Sequence, residues 1–206
     1  GLHSDTAGNR SDAVYFGGTA VTEETVHWPI EVKPGTRFRY ANNDILLAMR
    51  SLRAALGEAR YKNFPATALF DRIGMKHTVA ETDWRGNYIS SSQIWTTARD
   101  LARFGLLYLD DGVWNGKRVL PEDWRRYVTM PSGPQPAAGF GYGATFWLMN
   151  KVPGVPADTF SANGNRGQFV VIVPSRNIVI VRRGEDQAGA PFDIAKFTAD
   201  VLASVK

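Results

Sequence analysis

Two side chains able to take part in proton or hydrogen-bond chemistry stand at the mouth of a helix in PGTRFRYANNDILLAMRSL, residues 34–52. They are Tyr40 and Asn42. A phenol, with a pKa of about 10, is a poor base at pH 7 unless a nearby cation stabilises the phenolate. The N-terminus of the following helix adds only a weak positive field. On the residues alone, Tyr40 packs and Asn42 caps, or both belong to a reactive site. ANGNRG, residues 162–167, reads on the residues alone as a plain turn between strands.

The partners that such groups need are not visible in the usual contexts. No Gly-x-Ser-x-Gly elbow is present, none of the serines is followed three residues later by lysine, and there is no His-Glu-x-x-His. His3, His27 and His77 stand in unrelated contexts and read as structural or surface residues. No glycine-rich phosphate loop and no calcium loop occurs. The chain has no cysteine, which excludes disulfides and thiolate metal sites. No cofactor or metal is expected. The serines of SSS, Ser90, Ser91 and Ser92, have no base at a recognisable spacing.

The elements that must position these residues can be read from periodicity and punctuation. Residues 1–33 are rich in Gly, Ser, Thr and Asp and read mainly as loop, with AVYFGG as a short strand candidate. Asn42 or Asn43 can cap a helix with Ile45, Met49, Leu52 and Leu56 on one face and Gly57 near its end. Pro65 suits the first turn of a helix that stops at Gly74. NYISSSQIW reads as a polar loop or a short extended piece. Thr96 or Thr97 caps a further helix with Ala98, Leu101, Gly105 and Leu109 along one side, ended by Asp110, Asp111 and Gly112. Asn115-Gly116 in VWNGKRV fits a type I′ hairpin turn. Pro121 opens a short helix through Trp124 and Val128.

The last third changes character. ATFWLM and DTFSA read as strands, and QFVVIV and IVIVRR form a hairpin through PSRN. The two β-branched runs are apolar on both faces, which predicts a sheet covered on each side. The final helix presents Ile194, Phe197, Val201 and Val205. The expected fold class is α/β of the α+β type, an antiparallel sheet flanked by helices with a mostly helical subdomain. Residues 1–135 form the helical region that carries Tyr40, and 136–206 the strands and last helix. IVIVRR is the last strand, and an uncovered apolar edge is an aggregation hazard. The expectation is that another segment or chain pairs there and that part of the sheet lies outside these residues.

Apolar residues make up 44% and charged residues 21% of the 206, a globular balance that argues against disorder. The net charge of +4 comes from scattered basic pairs such as Arg125-Arg126 and Arg182-Arg183, which argues against nucleic acid as a partner. No apolar run approaches the length of a membrane span, and no signal peptide is recognisable at GLHSDTAG.

Four segments, in order, carry a resemblance. They are YAN at residues 40–42, LFDRIGM at 69–75, TTARDLARFGLLYLDDGVWNGKRVLPEDW at 96–124 and FSANGNRGQFVVIVPSRNIVIVRR at 160–183. Together they resemble the serine β-lactamase-related family, which includes class C β-lactamases, penicillin-binding proteins, esterases and nylon-oligomer hydrolases. The resemblance covers nearly the whole chain.

It implies a β-lactamase/transpeptidase-like fold and a hydrolase in which the serine of Ser-x-x-Lys attacks an ester, amide or β-lactam carbonyl to form an acyl-enzyme. Tyr40 matches the tyrosine of the family's Tyr-x-Asn motif, which relays the proton, and Asn42 its asparagine. The family's Lys-Thr-Gly motif falls by position on Ala162, Asn163 and Gly164, with the backbone N–H of Asn165 as an oxyanion donor. Such a donor is typically worth about 3–4 kcal/mol.

Two departures matter. Ala162 stands where the third motif has its lysine, which weakens the antibiotic-hydrolysis reading and favours an ester or amide. Ser-x-x-Lys itself falls upstream of Gly1, in a truncated, proteolysed or separate segment. The resemblance also implies a periplasmic or secreted location. The rival reading is a non-catalytic fold remnant that acts as a binding or assembly module, completing its sheet with a partner or with itself. A different hydrolase built on Ser90, Ser91 or Ser92 is a third.

Overall fold

The structure is a computed structural model that describes residues 27 and 29–205. The strand candidate AVYFGG and His3 lie outside the described residues. The chain divides into two compact units, one of Gly1–Asp71 and Thr78–Trp95, the other of Arg72–His77 and Thr96–Lys206.

The first unit begins, within the described residues, with loop and then helix α1, Asn42–Leu56. Its stripe is the expected one, Ile45, Met49, Leu52 and Leu56, together with Leu46, which is fully buried. The expected cap differs. The cap position is taken by Ala41 in extended conformation, which offers no side-chain acceptor, and Asn42 is already the first helical residue. The extended segment leading from Tyr40 thus runs one residue further than a capping asparagine requires. Gly57 ends the helix at φ 73°, its N–H bonded to the Arg53 carbonyl.

Helix α2, Glu58–Tyr61, follows at once, and Pro65 leads into a π-helical stretch, Ala66–Phe70. Strands β1, Val79–Ala80, and β2, Ile94–Trp95, form an antiparallel pair. Tyr61 ties α2 to the segment between those strands, because its hydroxyl accepts the Tyr88 N–H at 2.9 Å and its ring lies 5.3 Å from the Tyr88 ring. Arg53 reinforces the same segment by donating to the Arg85 carbonyl and the Asn87 side chain while pairing with Glu58.

In the second unit, α3, Asp71–Ile73, which begins in the first unit, leads to Gly74 at φ 72°. Helix α4, Ala98–Leu109, is capped by Thr97, whose hydroxyl accepts the Asp100 N–H at 3.2 Å. Hairpin β3–β4, Val113–Trp114 with Lys117–Arg118, turns on Asn115 and Gly116 at φ 48° and 75°, the left-handed pair that a type I′ turn requires. Helix α5, Trp124–Thr129, ends before Pro131.

Among the described residues, five antiparallel strands form the main sheet in the order β5-β6-β7-β8-β9. They are β5 (Gly141–Tyr142), β6 (Trp147–Leu148), β7 (Phe160–Gly164), β8 (Gln168–Val173) and β9 (Ile178–Arg182). One face carries Phe160, Val170 and Ile172 against Tyr108 of α4 and Val128 of α5. The other carries Val171, Val173 and Ile180 against Ile194 and Leu202 of α6, Ile194–Ser204. Period-2 alternation along β8 therefore feeds two cores at once, which is why its sequence is apolar throughout.

Helix α6 is rotated from the expected face. Ile194, Thr198 and Leu202 are buried, whereas Phe197 meets Phe192 edge-on at 5.3 Å and Val205 is exposed. Among the described residues, β9 forms an edge with β8 as its one sheet neighbour.

Candidate functional site

The residues singled out by sequence fall into two sets, one in each unit. In the first unit, Tyr40 is 41% exposed immediately before α1, and Asn42, half-buried, opens the helix. The approach to Tyr40 is basic and ordered, since Arg37 and Arg39 both pair with Glu31, Arg37 at 2.6 Å. The hydroxyls of Ser91 and Ser92 are buried and lack a hydrogen-bond partner among the described residues, next to Gln93 at φ 60°. A left-handed glutamine is a sparsely populated conformation.

In the second unit, Asn163, Gly164 and Asn165 are consecutive at the end of β7. Ala162 faces the α4 side of the sheet, packed with Val179 and Val181. Alternation then sends Asn163, opposite Phe169, to the α6 side. Its Oδ1 is buried and has no partner among the described residues. Gly164 stands opposite Gln168, and a Cβ there would lie 3.0 Å from the Gln168 Cβ. Among the described residues the Asn165 N–H has no acceptor, so it remains available as a donor.

The turn Asn165–Gly167 owes its shape to residues that sequence reasoning missed. Arg166 and Gly167 are both left-handed, at φ 56° and 82°. Arg182 donates to the Gly167 carbonyl at 2.8 Å and forks onto Asp186 at 2.6 and 3.2 Å. The Asp186 N–H returns to the Arg166 carbonyl at 3.1 Å. The Gln168 side-chain amide donates to the Gly184 carbonyl, and its Oε1 accepts from Arg183 Nε at 2.7 Å. Hydrogen bonding from Arg182 holds the Asp186 carboxyl below the usual aspartate range against an opposing effect of burial, and the Phe192 N–H adds to it. The signal in the sequence is the basic pair followed across a glycine by an acidic pair in RRGED, residues 182–186, but spacing alone does not say which side chain it closes on.

Away from this turn, buried Asp100 accepts from the His77 N–H at 2.7 Å and from Arg103 at 2.8 Å, which fixes the start of α4. A cavity of about 370 Å³ at the other end of β7 is lined by Asp111, Asp123, Arg125, Arg126 and Asp158. Among the described residues no cluster of three metal-ligating side chains occurs, and no helix is long and apolar enough to cross a membrane.

An antiparallel sheet with α4 and α5 on one face and α6 on the other is the architecture of β-lactamase/transpeptidase-like proteins, and the comparisons agree. Residues 3–203 match the family described as Beta-lactamase, and the chain belongs to that family. A protein assigned as a 6-aminohexanoate-dimer hydrolase from Bacillus anthracis superposes with a TM-score of 0.72 at 24% identity, over 89% of this chain and 47% of that one. A β-lactamase from Mycobacterium bovis gives 0.63 at 20% identity, over 84% of this chain and 66% of its own. An uncharacterized protein from Alkalihalophilus pseudofirmus is 28% identical over 103 residues, 43% of this chain and 29% of that one. The chain thus spans about half the length of the first of these structures and under a third of that relative.

Proposed function

We propose that the chain is the C-terminal part of a β-lactamase-related serine hydrolase that opens an ester, amide or β-lactam through an acyl-serine. The match of residues 3–203 to the β-lactamase family carries this reading. None of the serines in these residues stands in Ser-x-x-Lys, so the nucleophile and its lysine come from a preceding or separate segment. Tyr40 relays the proton between the serine and the leaving group, and Asn42 hydrogen-bonds the substrate or the lysine. The free N–H of Asn165 stabilises the oxyanion, and Gly164 lets the acyl group lie close to β7. With Ala162 in place of a lysine there is no cation at that position for a β-lactam carboxylate, so a neutral ester or a linear amide is favoured. The likeness to a protein assigned as a 6-aminohexanoate-dimer hydrolase is in keeping with an amide substrate.

The test is the sequence upstream of Gly1, read by comparing intact mass with the encoding gene, together with labelling by a fluorophosphonate. A Ser-x-x-Lys upstream and a single labelled serine on it are expected. A reading frame that begins at Gly1, or labelling of this chain alone, sinks the reading. Absence of labelling with stable self-association favours the assembly module instead.

A further inference from the structure

We propose that Arg182 and Asp186 are positioning residues for hydrolysis, clamping the Asn165–Gly167 turn so that the Asn165 N–H keeps its direction toward the acyl oxyanion. The proposal rests on the serine-hydrolase reading above.

The turn is held from both ends. Gly164 and Gln168 are fixed to each other in the sheet ladder. The carbonyls of Arg166 and Gly167 are taken by the Asp186 N–H and the Arg182 guanidinium, at 3.1 and 2.8 Å. Each bonded carbonyl fixes a planar peptide unit, and three residues between two anchored strands leave the Gly164–Asn165 peptide little freedom to rotate. Among the described residues that peptide's N–H has no acceptor, and neither do the N–H groups of Arg166 and Gly167; the Asn165 N–H is the one that directly follows β7.

The clamp is itself anchored. The Arg182 guanidinium lies 3.8 Å over the Phe192 ring, and the Phe192 N–H donates to Asp186 at 3.2 Å. It also fits only around glycine. A Cβ on Gly167 would stand 2.1 Å from Arg182 Nη1 and 2.2 Å from Asp186 Oδ2, and one on Gly184 would stand 2.6 Å from the Gly167 carbonyl oxygen. An exposed ion pair by itself contributes little to stability. A forked pair that also binds the turn's backbone controls orientation, and oxyanion stabilisation depends on orientation.

The experiment compares Asp186→Asn and Arg182→Lys with wild type in the complete protein. It measures p-nitrophenyl butyrate hydrolysis per fluorophosphonate-titrated site and amide hydrogen exchange at residues 164–168. Arg182→Lys keeps the charge but loses the fork, and it serves should Asp186→Asn fold poorly. The expected result is a kcat lower by about tenfold to 100-fold with KM within about threefold, alongside faster exchange in the turn. Unchanged kcat per titrated site in either folded variant, or unchanged exchange, overturns the proposal while wild-type activity leaves the hydrolase reading standing. A wild type that neither labels nor hydrolyses overturns both.

Discussion

Gly105 of α4 approaches Val179 of β9 so closely that a Cβ on the glycine would stand 2.5 Å from Val179 Cγ1 and 3.0 Å from Val170 Cγ1. A glycine inside a helix costs about 1 kcal/mol relative to alanine, yet here it lets the helix settle onto the apolar sheet. Gly105→Ala is therefore expected to destabilise, because overpacking of about 1–3 kcal/mol outweighs the gain in helix propensity. Urea denaturation followed by circular dichroism measures the difference. Adding Val179→Ala should recover part of the loss, and a more stable Gly105→Ala would show that α4 can move off the sheet.

The Arg182–Asp186 pair predicts a pH dependence of defined sign. The Asp186 carboxyl titrates below its ordinary 3.8 in the folded chain, chiefly through the Arg182 hydrogen bond. Its contribution to stability is thus complete above the unfolded value and fades as pH falls through the lower, folded one. The Tm gap between wild type and Asp186→Asn should be constant from about pH 5 upward and narrow below about pH 4. A gap that widens on acidification would contradict the pairing.

Much of this fold was legible because its signals are local. Thr97, Asn115-Gly116 and the β-branched runs 168–173 and 178–182 each impose a conformation on their own neighbours. Local signals also mislead by a residue or two. Asn42 sits in the helix rather than capping it, and Phe197 leaves the core of α6 for an edge contact with Phe192. Tertiary contacts were least legible. Nothing in the spacing of Arg182, Asp186 and Phe192 says that the chain bends after β9 to bring them onto the 165–167 turn. The two sets of candidate residues, Tyr40 with Asn42 and Asn163 to Asn165, came from the family resemblance.

Tyr61 supplies a test confined to the first unit. Its hydroxyl is buried and accepts the Tyr88 N–H at 2.9 Å, while Tyr88 in turn donates to the Lys62 carbonyl at 2.7 Å. Burial pushes the Tyr61 phenol up. Tyr61→Phe leaves the Tyr88 N–H without its acceptor, so a loss of about 1–3 kcal/mol is expected from denaturant titration. Amide exchange at Tyr88 should accelerate more than exchange in α4. A loss spread evenly over both regions would mean that the bond is not local in effect.

Tyr40 is the residue on which the hydrolase reading is most exposed to test. It is 41% accessible and stands outside α1, so Tyr40→Phe removes one oxygen atom without removing core packing. If the phenol relays the proton, kcat for p-nitrophenyl butyrate in the complete protein should fall by about 100-fold to 10,000-fold, the usual worth of general acid–base catalysis. KM should change little, because the ring is kept. Pre-steady-state kinetics separates the steps, since both acylation and deacylation need the relay and both should slow. An unchanged kcat would return Tyr40 to the plainer role of a tyrosine packed at a helix mouth.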